Sequence, residues 1–173
     1  MEAPLTDTLC THCGLCCDGT LFADVELASR AEATRLESLG LEIESDDDAP
    51  LLVQPCAALR GRRCTIYAHR PGCCRTFECK LLQDVRRGAV SVERAGEHIS
   101  QALESIREVR ELLVQVGPNP AGLPLRERCA EALMHEGPEE PATQRARARL
   151  AVAMEALERQ IRSTFLGGRG PTR

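Results

Sequence analysis

Aromatic residues are almost missing from this chain of 173 residues, which has no Trp, one Tyr and three Phe. A core without aromatic bulk must be filled by aliphatic side chains, which suits packed helices better than an all-β sandwich. So few rings also leave little for bases to stack on, and nucleic acid is disfavoured as a partner. No stretch approaches the roughly 18 apolar residues of a membrane span, so no membrane partner is expected. The opening MEAPLTDTLC lacks the charged start and apolar run of a secretory signal. The expectation is a soluble, cytoplasmic protein. The catalytic fingerprints are missing as well: there is no P-loop, no G-x-G-x-x-G, no G-x-S-x-G and no H-E-x-x-H.

Against these absences stand ten cysteines. Cys10, Cys13, Cys16 and Cys17 put four thiols into the eight residues CTHCGLCC, and Cys56, Cys64, Cys73, Cys74 and Cys79 form a second set. In a reducing compartment such thiols read as metal ligands or redox groups before they read as disulfides. Two residues between cysteines let a tight turn bring both sulfurs to about 2.3 Å from one soft ion. Cys16 and Cys17 are adjacent, so their side chains should point apart. That suggests a polynuclear centre or two neighbouring ones.

Charge is segregated along the chain. Residues 1–55 carry 12 acids and 2 bases, residues 56–87 carry 2 acids and 8 bases, and residues 88–173 carry 12 of each. The basic run coincides with the second cysteine set. Four thiolates around a divalent metal leave a net charge near −2, which is costly to bury uncompensated. Arg60, Arg62, Arg63, Arg70, Arg75 and Lys80 are expected to supply the compensation and to keep the thiols ionised.

The pattern of elements points to an α+β fold that is mainly α. Asp18-Gly19-Thr20 signals a turn, and the alternation of Leu21, Ala23, Val25 and Leu27 predicts a short strand. Residues 28–39 read as a helix capped at Gly40, while 41–44 and 51–54 read as a hairpin-like pair around Asp46, Asp47 and Asp48. Those three acids match no calcium loop and read as a solvated tip. Residues 55–80 predict irregular backbone that a metal could fasten in place of a core. From Ser91 a heptad pattern runs through Val92, Ala95, Ile99, Ala102, Ile106, Val109, Leu113 and Val116. It predicts a helix over 91–116, roughly 40 Å long. Gly117-Pro118-Asn119-Pro120 ends it, and further helices are expected over 124–135 and 142–165 before a disordered tail. The stripe suits an intramolecular helical hairpin better than a coiled coil with a protein partner, although the helical region leaves such a partner open. The chain is thus expected to divide into a metal-fastened cysteine-cluster domain, residues 1–88, and a helical extension, residues 89–173.

CTHCGLCCDG followed by PC-x7-CTIY-x2-RP-x2-CR-x-F-x-C resembles the YkgJ-type cysteine-cluster (CxxCxxCC) proteins over residues 8–88. The resemblance implies zinc or iron as cofactor, held by Cys10, Cys13, Cys16, Cys17, Cys56, Cys64, Cys74 and Cys79. Tyr67, Arg70, Pro71, Arg75 and Phe77 fall on the accompanying motif, and Cys73 is an extra thiol beside Cys74. Thiolates serve zinc and iron-sulfur centres alike. The ferredoxin run C-x2-C-x2-C-x3-C-P is absent, which shades the reading toward zinc. His12 and His69 read as residues beside the ligands rather than ligands, His98 and His135 as ordinary helix residues, and Cys129 as a buried packing thiol. The expected function is metal binding for structure, interaction or metal handling. The alternative is an iron-sulfur redox protein or enzyme, since the resemblance also touches flagellin lysine methylases. The C-x2-C-x2-C spacing departs from the C-x3-C-x2-C usual in radical S-adenosylmethionine enzymes, so catalysis stays open.

Overall fold

The computed structural model describes residues 5–45, 49–118, 120, 122–134 and 140–168. The fold is α+β and mainly α, as the sequence leads one to expect. The chain opens with a π-helical turn, Thr6–Cys10, that runs into the short helix α1, Thr11–Cys13. Strand β1, Asp24–Glu26, is followed by helix α2, Arg30–Glu37. Ser29 caps α2 by accepting the Glu32 N–H at 3.2 Å, and the Glu32 carboxylate reaches back to the Ala28 N–H at 3.1 Å. This is a reciprocal capping arrangement.

Strands β2, Ile43–Ser45, and β3, Pro50–Val53, pair antiparallel, and β1 joins the other edge of β3. The expected hairpin is therefore present as part of a three-stranded sheet in the order β1-β3-β2. Its tip at Asp46, Asp47 and Asp48 lies outside the described residues. Leu27, Ala33, Leu36, Leu41, Leu52 and Ala58 form a small core between α2 and this sheet.

The stretch expected to be irregular carries short elements: β4, Leu59–Arg60, paired with β5, Arg63–Cys64; a 3-10 turn, Tyr67–His69; and the helices α3, Gly72–Thr76, and α4, Lys80–Arg86. Pro71 stands between the 3-10 turn and α3, as its missing N–H and fixed φ dictate.

Three longer helices follow: α5, Val92–Val116; α6, Leu125–Leu133; and α7, Pro141–Thr164. Ser91 caps α5 through the Arg94 N–H at 3.2 Å, and Gly117 ends it. The α6 bounds fall inside the expected 124–135; residue 135, like the tail from 169 on, lies outside the described residues. On α5 the heptad residues Ala95, Ile99, Ala102, Ile106, Val109 and Leu113 are buried, and on α7 so are Leu150, Leu157 and Ile161. The two stripes meet within the chain, as the helical-hairpin reading requires.

The larger core is not confined to these helices. Leu9, Leu15 and Leu21 from the first cysteine run, and Leu81, Leu82 and Val85 from α4, are buried in it as well. At the C-terminal end of α7 the Lys80 N–H donates to the Phe165 carbonyl at 2.8 Å, which ties α4 to α7. Among the described residues no helix is long and apolar enough to cross a membrane.

Candidate metal centre

The first four cysteines ride on one short turn of chain. Cys10 ends the π-helical turn and Cys13 ends α1; the Gly14 N–H donates to the Cys10 carbonyl at 3.1 Å. Gly14 adopts φ +70°, a left-handed conformation open to glycine. A Cβ there would also stand 3.3 Å from the Cα of Arg62, whose Nη1 donates to the His12 carbonyl at 3.0 Å. Leu15, fully buried, anchors the run in the main core between Cys13 and Cys16. The Cys17 and Asp18 N–H groups return to the Gly14 carbonyl at 3.0 and 3.2 Å, so the chain turns at the Cys16-Cys17 pair. Asp18 then accepts the Thr20 N–H at 3.0 Å and Arg110 Nη2 of α5 at 3.3 Å, which fixes the predicted turn to the long helix.

The second set arrives from separate elements. The Cys56 N–H donates to the Cys17 carbonyl at 2.8 Å, and the Leu59 N–H to the Cys56 carbonyl at 2.9 Å. Leu59 in turn pairs with Cys64 in the β4-β5 hairpin. Cys73 and Cys74 lie in α3, whose first N–H, from Gly72, donates to Glu32 Oε1 at 2.9 Å. Cys79 caps α4, its Sγ accepting the Leu82 N–H at 3.5 Å.

These thiols act on one another. Burial is the leading influence on most of them: it raises Cys10, Cys56 and Cys79, pushes Cys13 and Cys17 up to about 12, and lifts Cys16 well above the ordinary thiol value. Neighbouring thiolates push the same way. Cys79 and Cys10 act on Cys13; Cys13, Cys17, Cys79 and Cys10 act on Cys16; Cys56 and Cys64 act on Cys17. In α3 the hydrogen bond between the paired thiols leads, holding Cys73 down at about 7 and raising Cys74 strongly. Cys17 and Cys56 add to the rise at Cys74, whereas Glu32 acts on Cys73. Cys73 packs on the small core with Cys56 and Cys64.

The expectation that the basic run keeps the thiols ionised is corrected here. Arg70 favours the charged form of Cys10 and Cys17, and Arg86 that of Cys10, but burial outweighs both. Several of the expected cations are directed elsewhere: Arg60 to the Ala57 and Leu59 carbonyls, Arg62 to that of His12, Arg75 to those of Arg70 and Ala68, and Lys80 to Asp84. Cys10 is exposed and the other candidate thiols are half-buried; soft donors that oppose one another's ionisation fit a thiophilic cation, which would supply the missing positive charge. Zinc or iron suits such a set. Among the described residues no three His, Cys, Asp or Glu side chains already stand in coordinating geometry, so a closed sphere needs the sulfurs drawn inward.

His12 is exposed and its Nδ1 donates to the Thr8 carbonyl at 2.8 Å; His69 is exposed as well. Arg70 lies over the Tyr67 ring, 3.6 Å from its centroid, and Phe77 meets Phe22 edge-on at 5.1 Å. Cys129 is buried in the main core. Sequence reasoning missed two supports, Leu15 and Glu32. The S-x-x-E spacing of Ser29 and Glu32 was a readable capping signal; the second bond of Glu32, to Gly72 forty residues on, left no local trace.

No curated protein and no solved structure is matched by this chain. A family model described as CxxCxxCC, putative zinc- or iron-chelating domain, matches residues 9–100, more than half of the chain and the whole of both cysteine sets. With that match the chain belongs to the CxxCxxCC family, whose model is described as a putative zinc- or iron-chelating domain.

Proposed function

We propose that the chain is a metal-binding protein in which Cys10, Cys13, Cys16, Cys17, Cys56, Cys64, Cys74 and Cys79 hold zinc or iron as thiolates. One observation carries this reading: the first cysteine run and the second set, up to about seventy residues away, meet where the Cys56 N–H donates to the Cys17 carbonyl at 2.8 Å, with Cys64 in register with Leu59 beside it, so that several thiolates would crowd and repel one another. A cation relieves that conflict and fastens the segments at the same time. The cysteine-bearing part, residues 1–88, is then the fastened module and residues 89–173 its helical support. With four protein ligands per zinc the site is closed, and its role is structural, in interaction or in metal handling. Iron with sulfide would instead make it a redox centre, the setting in which an enzymatic role related to lysine methylation would arise.

The test is elemental analysis with a visible spectrum on protein purified anaerobically without added metal. Zinc at one or more per chain and no visible band supports the closed module. Iron with matching sulfide moves the function to redox chemistry. Less than about a tenth of an equivalent of either metal, with none taken up on addition, overturns the reading.

A further inference from the structure

Cys16 and Cys17 are joined by a peptide bond yet stand in different surroundings. Cys13, Cys16 and Cys79 pack against the large core of α4 to α7. Cys56, Cys64 and Cys73 pack against the small core of α2 and the three-stranded sheet. Cys10 is linked to the first group through the turn that ends at Gly14, whose N–H it receives. Cys17 is linked to the second by a chain of backbone bonds: its carbonyl receives the Cys56 N–H at 2.8 Å, the Cys56 carbonyl receives the Leu59 N–H at 2.9 Å, and Leu59 is the register partner of Cys64. Cys74 follows Cys73 on α3, the helix that brings Cys73 to the same small core.

We propose that the eight thiols form two separate four-thiolate centres, Cys10, Cys13, Cys16 and Cys79 in one and Cys17, Cys56, Cys64 and Cys74 in the other, rather than one eight-thiolate cluster. The proposal rests on the metal-binding reading and goes beyond it by dividing the ligands. Because Cys16 packs on the large core while the Cys17 carbonyl receives the Cys56 N–H, the Cys16-Cys17 peptide is the natural divide. Each centre then has its own mechanical role. The first staples the N-terminal turn to α4 and through it to the helical bundle; the second staples the same turn to the β4-β5 hairpin and α3, beside the small sheet. Cys73, which packs on the small core with Cys56 and Cys64, is left outside both as the thiol additional to the eight-cysteine motif.

The test uses the full-length chain, reduced, stripped of metal and titrated anaerobically with Co²⁺, whose thiolate charge-transfer and d–d bands report each tetrahedral sulfur site. Zinc content after reconstitution gives a second readout. The wild-type chain is expected to take up two equivalents. Cys10→Ser and Cys64→Ser, one from each set and neither with a side chain that caps a helix, should each retain one equivalent, with the tetrahedral Co²⁺ bands at about half intensity. A Cys10→Ser/Cys79→Ser pair should also retain one, because both changes fall in one centre. Loss of all metal on either single substitution, or binding of both ions in one step that a single substitution abolishes, overturns the division while leaving metal binding intact. No uptake by the wild-type chain overturns both. Should either single variant fail to fold, the corresponding Cys13→Ser or Cys56→Ser variant makes the same measurement.

Discussion

The N–H of Cys56 donates to the carbonyl of Cys17 at 2.8 Å. This one bond brings the two cysteine sets together across nearly forty residues of intervening strand and helix. It also marks where a metal would act, because it joins a run anchored in the large core by Leu15 and Leu21 to one anchored in the small core by Leu52 and Ala58.

The pH response of the metal-free chain follows from Cys13 and Cys17. Both have an ordinary value of 9.0 and stand at about 12 in the fold, chiefly through burial. The folded state therefore holds these protons more tightly than the unfolded one. The stability they contribute is fully present below about pH 9 and is lost as pH rises toward about 12. Thermal unfolding of reduced protein in chelator should show a lower Tm at pH 10.5 than at pH 8. An unchanged or higher Tm at pH 10.5 would contradict the burial of these thiols.

Leu15 couples the cluster to the core. It is fully buried between Cys13 and Cys16, and Leu150 is equally buried on α7. Truncating either to Ala should cost about 2–5 kcal/mol. Only Leu15→Ala should also weaken metal binding, read by competition with a chromophoric chelator. Equal affinities in the two variants would detach the cluster from the core.

Gly14 is held to glycine by its positive φ and by the 3.3 Å approach to Arg62. Gly14→Ala should destabilise the chain by about 1–2 kcal/mol through the left-handed backbone alone, with Tm falling accordingly. Gly61, also at positive φ but with open space around it, serves as the control: Gly61→Ala should lower Tm less.

Cys129 separates packing from ligation. It is buried on α6, and burial pushes its thiol up to about 11. Cys129→Ser places a hydroxyl in an apolar site and should cost about 1–3 kcal/mol, yet leave metal content per folded chain unchanged. Reduced metal content would make it a ligand.

Much of this architecture was legible because period and punctuation agree locally. The α5 heptads, the Gly117-Pro118 stop and the apolar stripe of α7 each depend on residues within a few turns, and each gave its helix to within a residue or two. The strand pair around residues 41–54 was readable for the same reason, but β1 as its third strand was not, since that pairing is set by tertiary packing. The short elements between Cys56 and Cys79 were hidden too: β4 and β5 are two residues each, too short for any period. The cysteines named themselves by spacing, while the ionisation of their thiols did not, because it depends on burial that no local pattern encodes. Counting arginines suggested that charge would prevail; Cys16 and Cys17 show burial prevailing instead.

X-ray absorption at the zinc or iron edge of the metal-loaded chain tests the central claim most directly. Ligation by these cysteines predicts a first shell of about four sulfurs at about 2.3 Å around each metal. A shell dominated by nitrogen or oxygen near about 2.0–2.2 Å would contradict it, and with it the role assigned to the eight thiols.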